Sequence, residues 1–117
     1  MPTVAAGIAS TPEPPYFAVI FTSLRTEGDQ GYGKMSDFIG ELASGQEGFL
    51  GIESARTEGG LGITVSYWAS EDAIAKWKAN RDHRIAQNKG MSVWYEGYTV
   101  RIARVERAYT SSGRTPV

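Results

Sequence analysis

The residues of this chain best suited to contact a flat organic ligand are two tryptophans that stand nine positions apart, Trp68 and Trp77. The segment between them ends a predicted strand and begins a predicted helix, with Ser70 as the N-cap and Glu71 and Asp72 in the first turn. Two indole rings beside one junction are a large aromatic surface for 117 residues. They indicate either a well-filled core or the wall of a pocket.

Polar residues near these rings could supply chemistry. His83 is the one histidine, and an imidazole can act as a base or as an oxyanion partner near neutral pH. On a straight helix His83 would turn toward solvent, whereas a break after Asn80 would swing it toward the pocket. The further candidates for ligand contact are Tyr67, Trp94 and Arg101, the last only if its strand face is turned inward.

The composition excludes several classes of protein. Without cysteine there is no disulfide or thiol chemistry, which fits a cytoplasmic protein, and one histidine excludes a His-rich metal site within one chain. A net charge of −1 and scattered basic residues predict no nucleic-acid partner. No apolar run approaches the roughly 20 residues that span a bilayer, so we expect no membrane partner.

Hydrophobic periodicity predicts six elements between two flexible ends. Residues 1–15 are rich in Ala, Thr and Pro, residues 110–117 are small and polar, and residues 16–109 form one domain. The predicted elements are strand 16–25, helix 30–45, strand 48–56, strand 61–68, helix 71–88 and strand 95–107. Thr57–Gly60 predicts a hairpin turn, and the phase slip before Val105 predicts a bulge near Ala103.

The order β-α-β-β-α-β predicts an α+β, ferredoxin-like fold, in which an antiparallel sheet carries both helices on one face. Phe17, Val19 and Phe21 alternate with Ala18 and Ile20, so the first strand is apolar on both faces and should be central. A single chain has no third layer to cover the second face. We therefore expect a homodimer that buries on the order of 800 Å² per subunit between two sheets.

Three segments and one tryptophan resemble the antibiotic biosynthesis monooxygenase (ABM) domain family: Tyr16–Ser23, Gly48–Ser54, Ile63–Trp68 and Trp77. The resemblance covers residues 16–109 and implies a dimeric α+β barrel with a pocket between each sheet and its own helices. It also implies chemistry of two kinds, since some members are cofactor-free oxygenases that oxidise polycyclic phenols to quinones and others degrade haem.

The haem branch of the family implies a strand-1 Asn, a helix-2 Trp and a later His around the haem. Trp77 matches the tryptophan of that branch. Phe21 or Thr22 occupies the position that corresponds to the Asn, and Gln87 occupies the position that corresponds to the His. Glutamine is a poor axial ligand for haem iron. We therefore expect no cofactor, with haem as the disfavoured exception.

Three functions follow from the resemblance, in order of preference. The first is a cofactor-independent monooxygenase that oxidises an aromatic or polyketide-like small molecule with dioxygen. The second is a non-catalytic dimeric module that binds a small apolar molecule or has a stress-related role, and the third is a haem-binding or haem-degrading protein. For the first, we expect His83 and Asn80 to be catalytic and the following residues to contact substrate: Trp77, Trp68, Tyr67, Phe21, Trp94 and Arg101.

Overall fold

The computed structural model describes residues 7–86 and 93–111, with side chains for residues 7–82 and 93–111. Its elements are β1 (Tyr16–Arg25), α1 (Tyr32–Ser44), β2 (Phe49–Arg56), β3 (Leu61–Trp68), α2 (Glu71–Ala86) and β4 (Tyr95–Val105). The predicted ferredoxin-like α+β order is confirmed, and each boundary agrees to within two residues wherever the chain is described. The end of the second helix, predicted at residue 88, lies outside the described residues.

The four strands form one antiparallel sheet in the order β2-β3-β1-β4, so β1 is central as its two apolar faces predicted. Val19 pairs with Ser66 of β3 and Ile102 of β4, and Phe21 pairs with Thr64 and Val100. Directly opposite residues of an antiparallel pair point to the same face of the sheet. The odd-numbered residues of β1 therefore mark one face of the sheet. The residues that pair with them, directly or through β3, lie on that same face.

The bulge predicted near Ala103 lies elsewhere. Ala103 pairs regularly with Ala18, and Val105 pairs with Tyr16, so the last strand keeps its alternation to its end. The register shifts instead between Leu24 and Arg25, opposite the start of β4. Val105 and Tyr98 lie on opposite faces of the sheet. The regular alternation of β4 therefore accounts for the position of Val105 without a bulge. The real irregularity turns Tyr95 toward the helices.

Side chains satisfy backbone donors at the start of both helices, although the N-cap of α1, Gly31, has no side chain to contribute. The Asp29 carboxylate accepts hydrogen bonds from the backbone N–H groups of Gly31 and Gly33, each at 3.1 Å. The Ser70 hydroxyl accepts one from Ala73 N at 3.1 Å, which satisfies a donor at the start of α2. The helices pack on the face of Val19, and their shared buried core consists of Val19, Ala43, Trp68, Ala73, Ile74 and Trp77.

Gly48 sets the distance between the β2 end of the sheet and α2. Its φ of +84° is a left-handed conformation, and a Cβ atom there would lie 2.6 Å from the Cβ of Ala73. A side chain at position 48 would therefore be both strained and obstructed. Next to it, Phe49 pairs across the strands with Trp68, and the two rings pack edge-on with centroids 5.5 Å apart.

The second face of the sheet carries no helix within the described part of the chain. Three of its apolar side chains are substantially exposed, Leu24 at 38%, Leu61 at 52% and Ile63 at 48%. The segment before β1 contacts this face at the other end, where Ala9 N donates to the Glu53 carboxylate at 3.0 Å. Among the described residues, no helix is long and apolar enough to cross a membrane.

Candidate active site

A cavity of about 150 Å³ lies between the sheet and its two helices. Its walls are mainly apolar and aromatic, and every element except β2 contributes more than one residue, counting the loop residue next to β4. The main apolar contacts come from Val19, Phe21, Met35, Ile39, Trp77, Trp94 and Tyr95. The polar contacts come from Tyr32, Ser36, Thr64, Ser66 and Arg81. A mostly apolar hollow with a few converging polar groups is typical of small-molecule sites.

Trp68 is a core residue, whereas Trp77 belongs both to the core and to the cavity wall. Trp68 is fully buried, and its indole N–H donates to the Ser66 hydroxyl at 2.9 Å. Trp77 stacks on Trp68 with ring centroids 5.8 Å apart and planes inclined by 22°. Trp77 is itself 7% exposed and lines the cavity. The sequence left open whether these rings fill the core or form a pocket wall. Trp68 fills the core, and Trp77 does both.

A cluster of aromatic rings closes one end of the cavity. The ring of Tyr95 meets those of Phe21 and Tyr32 edge-on, at centroid distances of 5.3 and 5.7 Å. Trp94 is buried and donates its indole N–H to the Gln30 carbonyl at 3.1 Å, which fixes its ring beside Tyr32. Burial and a side-chain hydrogen bond with Tyr32 raise the pKa of Tyr95, so its hydroxyl stays neutral over the physiological range.

Arg25 ties this aromatic cluster to the sheet. Its guanidinium lies 3.8 Å from the ring centroid of Tyr32, within the range of a cation–π contact, and its Nη1 donates to the Trp94 carbonyl at 2.6 Å. Thr26 adds a hydrogen bond from its hydroxyl to the Val93 carbonyl at 2.7 Å. The end of β1 therefore positions both the start of α1 and the start of β4 against the cavity.

Arg81 brings the one charge found among the described residues that line the cavity. It stands four residues after Trp77, hence on the same face of α2, and its side chain is only 17% exposed. Its Nε and Nη2 both donate to one carboxylate oxygen of Asp82, at 3.1 and 2.8 Å. Partial burial opposes ionisation of Asp82, but hydrogen bonds from Lys78 and Arg81 prevail and hold its pKa below the ordinary value.

The cavity continues into a shallow groove between α1 and the edge strand β2. Four residues line both spaces: Ser36, Gly40, Ile52 and Thr64. Gly40 matters because a Cβ atom built there meets nothing within 4 Å. The missing side chain therefore leaves room where the cavity and the groove join.

The structure brings together three of the eight predicted site residues, since Phe21, Trp77 and Trp94 line the cavity. Trp68 lies behind Trp77 and forms no part of the lining, and Asn80 is half-buried on α2 outside it. The backbone of His83 lies in α2, and its side chain is outside the described residues.

Tyr67 and Arg101 lie on the opposite face of the sheet, so they cannot contact a ligand in this cavity. Tyr67 pairs with Ala18 and donates its hydroxyl to Glu53 at 2.5 Å, while Arg101 pairs with Ile20 and is exposed. Both expectations about ligand contact in the helix-side pocket need this correction. The physical reason is the two-residue period of a strand, which places the neighbours of cavity-facing residues on the other side.

Sequence reasoning missed Tyr32, Tyr95 and Arg81. The spacing of four residues between Trp77 and Arg81 was a usable signal, since it places both side chains on the same face of a helix. No local signal marked Tyr95, because the register shift at Leu24 and Arg25 decides its direction.

Fold and cavity together define a ferredoxin-like α+β domain with an aromatic-walled hollow beneath its helices. Residues 16–89 match the model of a family described as antibiotic biosynthesis monooxygenase, and the chain belongs to that family. A Bacillus subtilis (strain 168) protein, the uncharacterised YqjZ, is 54% identical over 100 residues, which are 86% of this chain and 88% of that protein.

Solved structures agree on the fold. SnoaB, a cofactor-independent oxygenase from Streptomyces nogalater, superposes with a TM-score of 0.62 at 10% identity and covers 85% of this chain and 99% of its own. A Nitrosomonas europaea protein of unknown function gives a TM-score of 0.63 at 11% identity, over 85% of this chain and 97% of its own. At these identities the likeness concerns architecture alone.

Proposed function

We propose that this protein is a cofactor-independent monooxygenase that oxidises a small aromatic or polyketide-like compound with dioxygen. The observation that carries the proposal is the aromatic-walled cavity between the sheet and the helices, lined by Phe21, Trp77 and Tyr95. Membership of the ABM family and the architecture shared with a cofactor-independent oxygenase support the same reaction class.

The reaction needs an electron-rich substrate and no added reductant. An activated phenol or anthrone loses a proton, and the resulting anion passes one electron to dioxygen. Recombination of the substrate radical with superoxide forms a carbon–oxygen bond, and loss of water from the peroxide leaves a carbonyl. For 1-naphthol the balance is naphthol plus dioxygen giving 1,4-naphthoquinone plus water. All four oxidising equivalents therefore come from dioxygen.

The protein contributes binding, water exclusion and placement of polar groups. Walls of aromatic rings hold a flat substrate, and hydroxyl groups such as those of Ser36 and Thr64 can donate to a developing oxyanion. His83 and Asn80 remain our proposed groups for taking and relaying the substrate proton, both carried by α2.

The volume of the cavity narrows the choice of substrate. An engineered apolar cavity of about the same volume is known to hold benzene, so about 150 Å³ accommodates one aromatic ring with little rearrangement. A two-ring substrate would extend into the adjoining groove beside Gly40. We therefore expect one-ring and two-ring phenols to fit better than three-ring anthrones.

We also propose that haem is not the ligand of this cavity. A haem macrocycle contains four pyrrole rings, each close in size to the single ring that the cavity holds. No step of the proposed reaction therefore involves haem. A titration followed in the Soret region checks this point, and a shifted absorption band would make haem binding the preferred function.

A homodimer in the cytoplasm completes the proposal. The exposed Leu24, Leu61 and Ile63 give the helix-free face an apolar surface that a second sheet could cover. The absence of cysteine fits a reducing compartment.

Oxygen uptake tests the function directly. The wild-type protein should consume dioxygen with 1-naphthol or a hydroxylated relative, and the quinone should appear in equal amount. Gly40→Leu should abolish uptake by filling the junction of cavity and groove, whereas Lys34→Leu, which adds the same side chain at an exposed position of α1, should retain it. Ligand binding without uptake across one-, two- and three-ring phenols would favour the non-catalytic module instead.

A further inference from the structure

We infer that Arg81 makes the cavity selective for aromatic weak acids, which it holds as their anions, so that a phenol entering as a neutral molecule is bound as phenolate. The inference rests on the cavity invoked in the proposed function and assigns the ligand class and the residue that selects it. It concerns binding, so it can hold even if no oxidation follows.

The first support is the position of Arg81. Among the described residues that line the cavity it carries the only formal charge, and its neighbours there are rings, alkyl groups and neutral hydroxyls. The Arg81 side chain as a whole is only 17% exposed. A charge in such surroundings acts on a ligand much more strongly than a surface charge does.

The second support is the charge balance around Arg81. Asp82 accepts from Arg81 and also from Lys78, whose Nζ lies 2.7 Å from the second carboxylate oxygen. Two cations therefore share one anion, and the group keeps a net charge of +1. The Lys78 side chain is 65% exposed and that of Asp82 is 46% exposed, so the compensating partners lie on the solvent side. The cavity side is left with the cation.

The remaining charges near the cavity fall into two groups. At the aromatic end, burial and the hydrogen bond with Tyr32 raise the pKa of Tyr95 and outweigh the opposing effect of Arg25 and Arg56, so an anion is favoured near Arg81 and not at this end. The acids Asp37, Glu41 and Glu53 line the adjoining groove and not the cavity. Of these, Glu53 is engaged by the Tyr67 hydroxyl and by Ala9 N on the other face. Among the described residues, Arg81 is therefore the formal charge that borders the cavity, and these acids line the groove beside it.

These charges predict the ionisation state of a bound phenol. A positive charge within about 4–6 Å lowers the pKa of an acid by roughly one to three units. Burial of a phenolate opposes this, but delocalisation into an aromatic ring spreads its charge, and stacking on Trp77 keeps the ring in contact with the wall. The anion is also the electron-rich form that dioxygen oxidises, so the inference explains why a phenol would be chosen.

Three single-ring probes on one scaffold test the inference by anaerobic binding. 4-Nitrophenol becomes yellow when ionised, nitrobenzene lacks the acidic group, and 4-nitrobenzoate is a permanent anion. At a pH where free 4-nitrophenol is mostly colourless, the wild-type protein should bind it in the yellow form. Arg81→Gln should reduce the ratio of ionised to neutral bound probe about tenfold and weaken 4-nitrobenzoate by a similar factor.

Two further variants separate charge from packing. Arg81→Lys keeps the charge and should retain most of the yellow colour. Lys76→Gln removes a positive charge from an exposed position of α2 that does not line the cavity, and should behave as the wild type. Nitrobenzene should bind equally well to the wild type and to Arg81→Gln, whose folding is checked by thermal unfolding.

Several results would overturn the inference. These are an unchanged yellow fraction in Arg81→Gln, a parallel loss of nitrobenzene affinity, which would make Arg81 a packing residue, and failure of all three probes to bind. Failure of oxygen uptake with intact yellow binding would remove the monooxygenase proposal alone.

Discussion

Trp77 stacks on Trp68 at 5.8 Å, and only Trp77 also borders the cavity. The Trp68 ring is therefore enclosed on all sides by protein, whereas the Trp77 ring packs on Trp68 and also lines the cavity. This arrangement connects the core of the domain to the candidate site, since a ligand lying on Trp77 would add to a stack that already reaches the centre of the fold.

The stack predicts an order of stability losses. Trp77→Ala should lower the free energy of unfolding by about 3–5 kcal/mol, as for other buried aromatic residues. Trp68→Ala should cost more than Trp77→Ala, because Trp68 loses contacts on all sides as well as the hydrogen bond to Ser66. Urea unfolding measures both. Lys76→Ala on the exposed face of α2 is the control and should stay within about 0.5 kcal/mol, and a smaller loss for Trp68 than for Trp77 would contradict the assignment.

Two tyrosines predict a loss of stability in alkali. Burial raises the pKa of Tyr67 above its ordinary value of 10.0, and the hydrogen bond and charge of Glu53 raise it further. Burial and the bond to Tyr32 raise the pKa of Tyr95. The folded state thus binds these protons more tightly than the unfolded state, so their contribution is complete below the unfolded pKa and is lost as pH rises toward the folded values.

The measurement is the urea midpoint as a function of pH. The wild-type curve should fall above the ordinary tyrosine pKa, and Tyr67→Phe and Tyr95→Phe should each make that fall less steep. Tyr109→Phe changes a ring that is 77% exposed and serves as the control. Identical alkaline slopes in all four proteins would show that neither hydroxyl is held by the fold.

Gly40 predicts a gain in stability. It lies inside α1, and a Cβ atom there meets open space, so Gly40→Ala should stabilise the protein by about 0.5–1 kcal/mol through reduced freedom of the unfolded chain. Thermal unfolding records the gain. Gly48→Ala is the matched opposite, because its Cβ atom would strike Ala73, and it should destabilise. Equal effects of the two substitutions would be inconsistent with the described packing.

The helix-free face predicts the outcome of a charge substitution. If a second copy covers Leu61 and Ile63, then Ile63→Glu should convert a dimer into a monomer, since an unpaired charge would be buried in the interface. Light scattering after size-exclusion chromatography gives the mass. Ala75→Glu on the exposed side of α2 should leave the mass unchanged. A wild-type monomer at micromolar concentration would remove the dimer from the proposal.

The sequence by itself determined the elements and their order. The two apolar faces of β1 and the turn at Thr57–Gly60 follow from local periodicity and turn chemistry, and they needed no tertiary information. The family also followed, because its signature segments are contiguous in the chain. The aromatic residues of the cavity were found in part, since Trp77 and Phe21 stand on predicted apolar faces.

Only the tertiary structure decided which polar groups meet. The direction of Tyr95 depends on a register shift between β1 and β4, and the side on which Tyr67 and Arg101 lie depends on which face of the sheet receives the helices. The role of Arg81 depends on the direction from which α2 meets the sheet. These are long-range pairings between segments far apart in sequence, whereas periodicity carries information only about neighbours along the chain.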